Sequence, residues 1–320
     1  MKRNAQVVAL LPCYRNGSRL RLAGDALCDF QDIISLTQED AEQFMIELFS
    51  HARKENLHFH FHQLSNRGNL CPLIKIYANS TGFDYYQKTI GPCPWFKLAE
   101  DGETFLVATK AKLRKRVRRA LRKLEELAPE HKYSILDHSQ ITSSTIDDIA
   151  ALHKRNQHRK EGDSIFENQS YRKFIPEAAQ EPDTGIHIIE VRAKSGELIA
   201  FDFGFHADSR FYAYLGSCDE PSSGGSPCVC FLHWQMDKLP LMGIRDYDFL
   251  CGSEGCKFDY AEDHYKILSV KIYSCGLINS IKLMAYRNGR EIEGGFETIL
   301  QASHKRLAFA FRAKASFKKH

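Results

Sequence analysis

Between Ser222 and Lys257 the chain gathers residue types that could bind a phosphate and move a proton. Ser222-Ser223-Gly224-Gly225-Ser226-Pro227 is a turn of small residues, and a helical run from Cys228 to Leu239 follows it. A loop that opens a helix presents bare backbone N–H groups, which make a ready anion site. Pro240 and Gly243 then break the chain before Tyr247-Asp248-Phe249-Leu250. That short strand leads into a polar elbow, Cys251-Gly252-Ser253-Glu254-Gly255-Cys256-Lys257. Acid and base groups therefore stand beside a strand end. The two features together predict a phosphate-bearing cofactor next to a reaction centre.

The elements that must position this region can be read along the chain. Residues 1–100 read as strands and short helices in mixed order, with strands at Gln6–Pro12, Ser18–Leu22, Leu57–Gln63 and Leu73–Ile76. Helical periodicity runs from about Glu39 to Lys54, with Thr37 as N-cap and Asp40 at N3. A second unit starts near His131, after Pro129 and Glu130. Its strand Lys132–Asp137 leads to an N-cap cluster at Ser143 and Ser144 and a helix to about Lys160. A further helical stretch covers Asn168–Ala179. Three strands follow as a meander: Gly185–Arg192, Glu197–His206 and Arg210–Cys218, the first two joined by the turn Ala193-Lys-Ser-Gly196. The turn and helix of the first paragraph come next, then strands Tyr247–Leu250 and Ile267–Cys275. A helix over about Gly295–Ala315 closes the chain.

At 320 residues the chain is long enough for two domains of ordinary size, and its composition is that of a soluble globular protein. No apolar run approaches the roughly 18 residues of a membrane span. The run Val7–Leu11 is short and is soon followed by Arg15, Arg19 and Arg21, which predicts a buried first strand and not a signal peptide.

The net charge of +4 hides an asymmetry. Residues 110–123 hold nine basic residues and no acid, and residues 304–320 hold six more and no acid. Without those fifteen, 29 basic residues face 40 acidic ones, a balance of −11. In the first segment Leu113, Val117, Ala120, Leu121, Leu124 and Leu127 recur at helical spacing. A helix over about 104–127 should pack on that stripe and turn Arg114, Lys115, Arg118, Arg119 and Arg122 outward. Like charges at i and i+4 repel. Two readings stay open: a solvated face, or a patch for an anionic partner such as cofactor phosphates, a lipid-linked substrate, an acidic glycan or RNA.

The ten cysteines are scattered, unlike those of a short disulfide scaffold, and predict reduced thiols in a cytoplasmic protein. Cys228-x-Cys230 and Cys251-x4-Cys256 lack zinc-site spacing, so no metal is expected. His58, His60 and His62 share one strand face, read as solvated although the geometry could hold a metal.

A meander followed by a pyrophosphate-type turn on a helix is the layout of the GNAT acyltransferase core. The sequence resembles the CelD/BcsL-type acetyltransferase family of the GNAT superfamily, related to the FemAB-like double-GNAT transferases. The resemblance rests on the basic segment Lys110–Leu124 and on Leu152-His153-Lys-Arg155-Asn-Gln-His-Arg159-Lys-Glu-Gly162. It rests also on Phe211-Tyr212-Ala-Tyr214 with Ser226-Pro227, and on Tyr247-Asp248-Phe249-Leu250-x-Gly252-x-Glu254-x-x-Lys257. The family usually has Gly where Cys228 stands and an aromatic where Cys256 stands.

The resemblance implies an α/β (α+β) fold, a GNAT-like mixed sheet flanked by helices. It implies two tandem GNAT-like units, the first degenerate or truncated. The expected division is 1–128 for the first unit, 129–294 for the acyltransferase unit and 295–320 for a basic C-terminal helix. The implied cofactor is acetyl-CoA or another acyl-CoA, its pyrophosphate held by the backbone of Gly224, Gly225, Ser226, Cys228 and Val229. Asp248 and Glu254 are the implied proton-transfer groups, with Lys257 beside them as a cation for Asp248 or for an anionic substrate. His153, Arg155, Arg159, Tyr212 and Tyr214 are the implied substrate-binding residues. Alternatives are a structural Asp248–Lys257 pair, a packed His153 and tyrosines that only pack.

The implied function is acyl-CoA-dependent N- or O-acyl transfer to a sugar or amino-sugar acceptor in polysaccharide or cell-envelope biosynthesis, in the cytoplasm or peripherally at the inner membrane face. One alternative is a FemAB-like transferase fed by aminoacyl-tRNA, the basic helix being its RNA footprint. Another is a non-catalytic GNAT-like protein that docks an anionic glycan or membrane, helped by Phe309, Phe311 and Phe317 among Arg312, Lys314, Lys318 and Lys319.

Overall fold

The computed structural model describes residues 1–24, 27–98, 111–159, 161–219 and 227–274. Two compact units divide the chain: residues 1–90 with those from Lys266 onward, and Gly91–Tyr265.

In the first unit, two short antiparallel pairs form at the start of the chain, β1 (Lys2–Arg3) with β2 (Gln6–Val7) and β3 (Ala9–Leu10) with β6 (Ile34–Ser35). Strand β4 (Cys13–Asn16) pairs antiparallel with β5 (Arg19–Leu22), and β5 runs parallel to β7 (His58–Ser65). Strand β14 (Asp263–Ser274) lies antiparallel on β7, with Ile272 opposite Phe59. Helix α1 (Gln38–Lys54) starts where the sequence places it: Thr37 Oγ1 accepts a hydrogen bond from the Asp40 N–H at 3.1 Å. Its Met45 and Phe49 meet Phe59, Phe61, Val270 and Ile272 in the core.

The strand expected at Leu73–Ile76 is instead part of helix α2 (Leu70–Ser80). Leu70, Leu73, Ile74 and Ala78 are its buried residues, a helical spacing that outweighs the local β-branched run. The face of His58 and His60 is not solvated either. Both are nearly enclosed, with rings about 5 Å from that of Tyr273 (5.2 and 5.3 Å). Burial, with Lys271 and Arg19 close by, lowers the His60 pKa to about 3.

The second unit follows the order expected from the sequence. Helix α3 (Ala111–Leu127) is followed by β9 (Lys132–Leu136), α4 (Ser143–Arg159), α5 (Gln169–Ala179), β10 (Ile186–Arg192), β11 (Leu198–Ala207) and β12 (Arg210–Cys218). Then come α6 (Pro227–Lys238), β13 (Asp246–Asp248) and the single turn α7 (Gly255–Phe258). The sheet of this unit runs β8-β13-β12-β11-β10-β9, where residues 91–97 of β8 (Phe83–Lys97) belong to the unit. It is mixed: only β12 and β13 are parallel neighbours. Strand alternation sends Ile188, Phe201 and Phe203 to one face, under Ile146, Ile149 and Ile175 of α4 and α5. It sends Ile189, Ala200, Phe211 and Tyr247 to the other, under Phe231 and Met236 of α6 and Leu113 of α3.

The division between units departs from the expected break after residue 128. The apolar stripe of α3 is the reason. Val117, Ala120 and Leu124 are buried against Val229 and Cys230 of α6, so the basic helix belongs to the second unit's core. The expected C-terminal helix lies outside the described residues.

Candidate active site

Strands β12 and β13 are parallel neighbours in the sheet of this unit. The two strands pair over three positions only: Arg210 with Asp246, Phe211 with Tyr247, Tyr212 with Asp248. Strand β12 then continues to Cys218 with β11 as its partner, and β13 has ended. The chain turns away sharply after β13, with Leu250 at φ +55°. The Asp248 carboxylate holds that turn by accepting the Leu250 N–H at 2.9 Å.

Asp248 itself has no exposed surface. Besides Leu250, it accepts from the Tyr265 hydroxyl at 3.2 Å and from Arg210 Nη1 at 3.3 Å. Arg210 also binds Asp246 at 2.8 Å and lies over the Trp95 ring at 4.7 Å. Burial pushes the Asp248 carboxyl up to about 6, against the pull of these donors. The elbow brings Glu254 and Lys257 together at 3.2 Å, and the Lys257 ammonium also donates to the Phe249 carbonyl at 3.2 Å. Glu254 Oε2 and Lys257 Nζ occupy the space beside Gly252, so a Cβ there would displace the ends of both side chains.

A residue that the motifs did not single out lies at the same place. Asp202 of β11 is nearly enclosed and accepts the Tyr247 hydroxyl at 2.6 Å, while Tyr247 also reaches Gln235 of α6 at 3.3 Å. Burial pushes its carboxyl up to about 6, and the Lys257 charge opposes that rise. The signal for it was in the sequence: a lone acid inside Leu198-Ile-Ala-Phe-Asp-Phe, an apolar strand.

The expected substrate residues are dispersed. His153 is buried, its Nδ1 2.8 Å from Ser164 Oγ and its Nε2 3.2 Å from Gln157 Nε2, with its ring against Phe166. Arg155 is exposed on α4. Arg159 pairs with Asp219 at 3.5 Å, and neighbouring Asn156 donates to the Cys218 carbonyl at 2.6 Å. These contacts tie the end of α4 to the end of β12. Tyr214 packs on Phe203 and Phe205, and Tyr212 is half-buried near Arg210 and Asp248.

Of the expected pyrophosphate-binding residues, Gly224, Gly225 and Ser226 lie outside the described residues. Val229 is buried against the basic helix. Cys228 corrects the expectation of reduced thiols: it is disulfide-bonded to Cys218, with Cα atoms 5.8 Å apart. Ten residues of sequence separate the two, so spacing alone gave no cue. Cys251 sits in the elbow, where its thiol hydrogen-bonds with that of Cys93.

On α3, Lys115, Arg118, Arg119 and Arg122 are exposed and Arg114 is half-buried. Among the described residues those four exposed cations have no acidic partner, whereas Arg116 reaches Asp259 at 3.3 Å. No cluster of three or more His, Cys, Asp or Glu suited to a metal occurs among the described residues. No helix among them is long and apolar enough to cross a membrane.

This arrangement has a match among protein families: residues 111–266 fit the model of the acetyltransferase (GNAT) domain. The matched stretch is just under half of the chain. The match supports an acyltransferase, and the fold is GNAT-like. Solved structures agree on the fold. The C-terminal domain of a putative lysylphosphatidylglycerol synthetase from Agrobacterium fabrum superposes with a TM-score of 0.57 at 13% identity, over 87% of this chain and 84% of that one. L-PGS from Bacillus licheniformis gives 0.57 at 12%, over 87% and 85%. FemX gives 0.57 at 12%, over 89% and 88%. No curated protein sequence matches the chain.

Proposed function

We propose that the GNAT domain transfers an acyl group from acyl-CoA to a sugar or amino-sugar acceptor in polysaccharide or cell-envelope synthesis, as in the CelD/BcsL-type enzymes it resembles. The observation that carries the donor half is the short parallel pairing of β12 with β13, three positions, after which β13 ends and β12 runs on to Cys218. The backbone of Gly224, Gly225 and Ser226, with the first turn of α6 at Cys228 and Val229, would hold the donor's pyrophosphate. Bound acyl-CoA supplies an activated thioester carbonyl. Lys257, fixed by Glu254 and the Phe249 carbonyl, sets a positive charge at the end of β13. Asp248 is a positioning residue in this reading, since its carboxylate is wholly enclosed and spent on Arg210, Tyr265 and the Leu250 turn.

Binding of acetyl-CoA by calorimetry tests the proposal. Saturable binding that is lost in Gly225→Glu is the expected result; absence of binding by acetyl-CoA and longer acyl-CoAs counts against it.

A second reading is favoured by the four exposed cations of α3, Lys115, Arg118, Arg119 and Arg122, that meet no acid among the described residues: an aminoacyl transfer whose donor is a charged tRNA. One of the similar folds is named as a domain of a putative lysylphosphatidylglycerol synthetase. RNA binding whose affinity falls steeply with salt, lost in Arg118→Glu, would favour it. Cytoplasmic placement is part of the first reading, and the Cys218–Cys228 crosslink weighs against it.

A further inference from the structure

Two buried carboxylates stand near the end of β13, and their surroundings assign them different work. Asp248 is sealed by an arginine, a tyrosine hydroxyl and a backbone N–H. Asp202 is held by Tyr247 and Gln235 and meets no arginine among the described residues. In the β11–β12 ladder it stands opposite Gly216, so their side-chain positions share one face. Gly216 has no side chain and is exposed, and a Cβ there would come within 3.5 Å of Asp202 Oδ1. Gly216 also lies on the stretch of β12 beyond its pairing with β13. The space a Cβ would fill at Gly216 therefore lies between the exposed backbone and Asp202 Oδ1.

We propose that Asp202 is the general base of the transfer, taking the proton from the acceptor's amine or hydroxyl. The proposal rests on the acyl-CoA reading above. Tyr247 of β13 aims the carboxylate by its 2.6 Å hydrogen bond, and Gln235 of α6 steadies Tyr247. Both elements border the donor site. The charged and titratable groups facing Asp202 are Tyr247 and Lys257. Lys257 favours the ionised carboxylate, which is the form a base needs. Burial raises the proton affinity of Asp202 to about 6, close to neutral working pH, where a base is most effective. In the step, the acceptor's lone pair forms a bond to the thioester carbonyl carbon and its proton passes to Asp202. The C–S bond breaks with its electron pair on sulfur. The proton on Asp202 then passes to that sulfur, which restores the carboxylate and yields the free thiol.

The test uses the full chain with acetyl-CoA as probe. In protein carrying 13C-labelled aspartate carboxyls, the Asp202 resonance is identified by its loss in Asp202→Asn. Acetyl-CoA should move that resonance and its titration midpoint. Calorimetric binding of acetyl-CoA with an unmoved Asp202 resonance would overturn the proposal. Failure of the wild type to bind acetyl-CoA is a separate result that removes the donor reading itself. With glucosamine as acceptor, Asp202→Asn should lower kcat about 100-fold while the KM for acetyl-CoA stays within about threefold. Loss of the limb near pH 6 should accompany it, and Asp202→Glu should recover part of the rate. An unchanged kcat in Asp202→Asn would overturn the assignment.

Discussion

Asp202→Asn should make the protein more stable while it removes activity. The carboxyl is raised from 3.8 to about 6 in the folded chain. A folded-state acid with a raised pKa is favoured in its protonated form. Its contribution to stability is thus fully present below about pH 4 and is lost as pH rises through 6. Each pH unit between the two values is worth about 1.4 kcal/mol, so the ionised group costs on the order of 3 kcal/mol at pH 8. Asparagine carries no such cost, and its carbonyl can still accept the Tyr247 hydroxyl now bonded at 2.6 Å. The gap between variant and wild type should therefore be near zero at pH 4, open between pH 4 and 7, and reach up to about 3 kcal/mol at pH 8. Urea unfolding at a series of pH values measures it directly. An Asp202→Asn protein less stable than wild type at pH 8 would refute the reasoning, and so would a gap that does not change with pH. The difference removes other titrating groups, including Asp248, which burial also raises to about 6.

Two further changes probe the basic helix from its opposite sides. Leu124→Ala should cost about 2–4 kcal/mol in urea unfolding, because Leu124 is buried against α6, whereas Leu127→Ala, half-exposed, should stay within about 0.5 kcal/mol. Arg118→Glu with Arg122→Glu should leave the melting temperature nearly unchanged, as both side chains are exposed, yet abolish retention on a polyanion such as heparin; unchanged retention would end the anionic-patch reading.

The second unit was legible because its elements obey local rules. The meander from Ile186 to Cys218 is three strand-forming runs set off by turn residues, and the turn at Gly196 supplies the φ of +90° that its hairpin needs. The stripe of α3 likewise named the buried Leu113, Val117, Ala120 and Leu124, although Leu121 and Leu127 of that stripe are exposed. What failed was non-local. Leu73–Ile76 has the composition of a strand, and only its distance from Leu70 and Ala78 reveals the helix. The histidines of β7 read as solvated because alternation tells which residues share a face and not what covers that face. Asp202 escaped notice because its meaning depends on Tyr247, 45 residues away. Asp248 was found by motif, but the motif could not tell a reacting carboxylate from one that holds a turn.

The Cys218–Cys228 bond closes a small covalent ring around residues 219–227. A protease that cuts once inside this ring opens it without separating the chain, since the sulfurs still join the two sides. A nicked molecule would migrate as a single species on a gel until a reductant is added, and only then fall into two fragments. The stretch expected to cradle the donor is therefore a place where the backbone can be severed while strand and helix stay joined. It is a natural point at which to insert a reporter or to open the chain for semisynthesis.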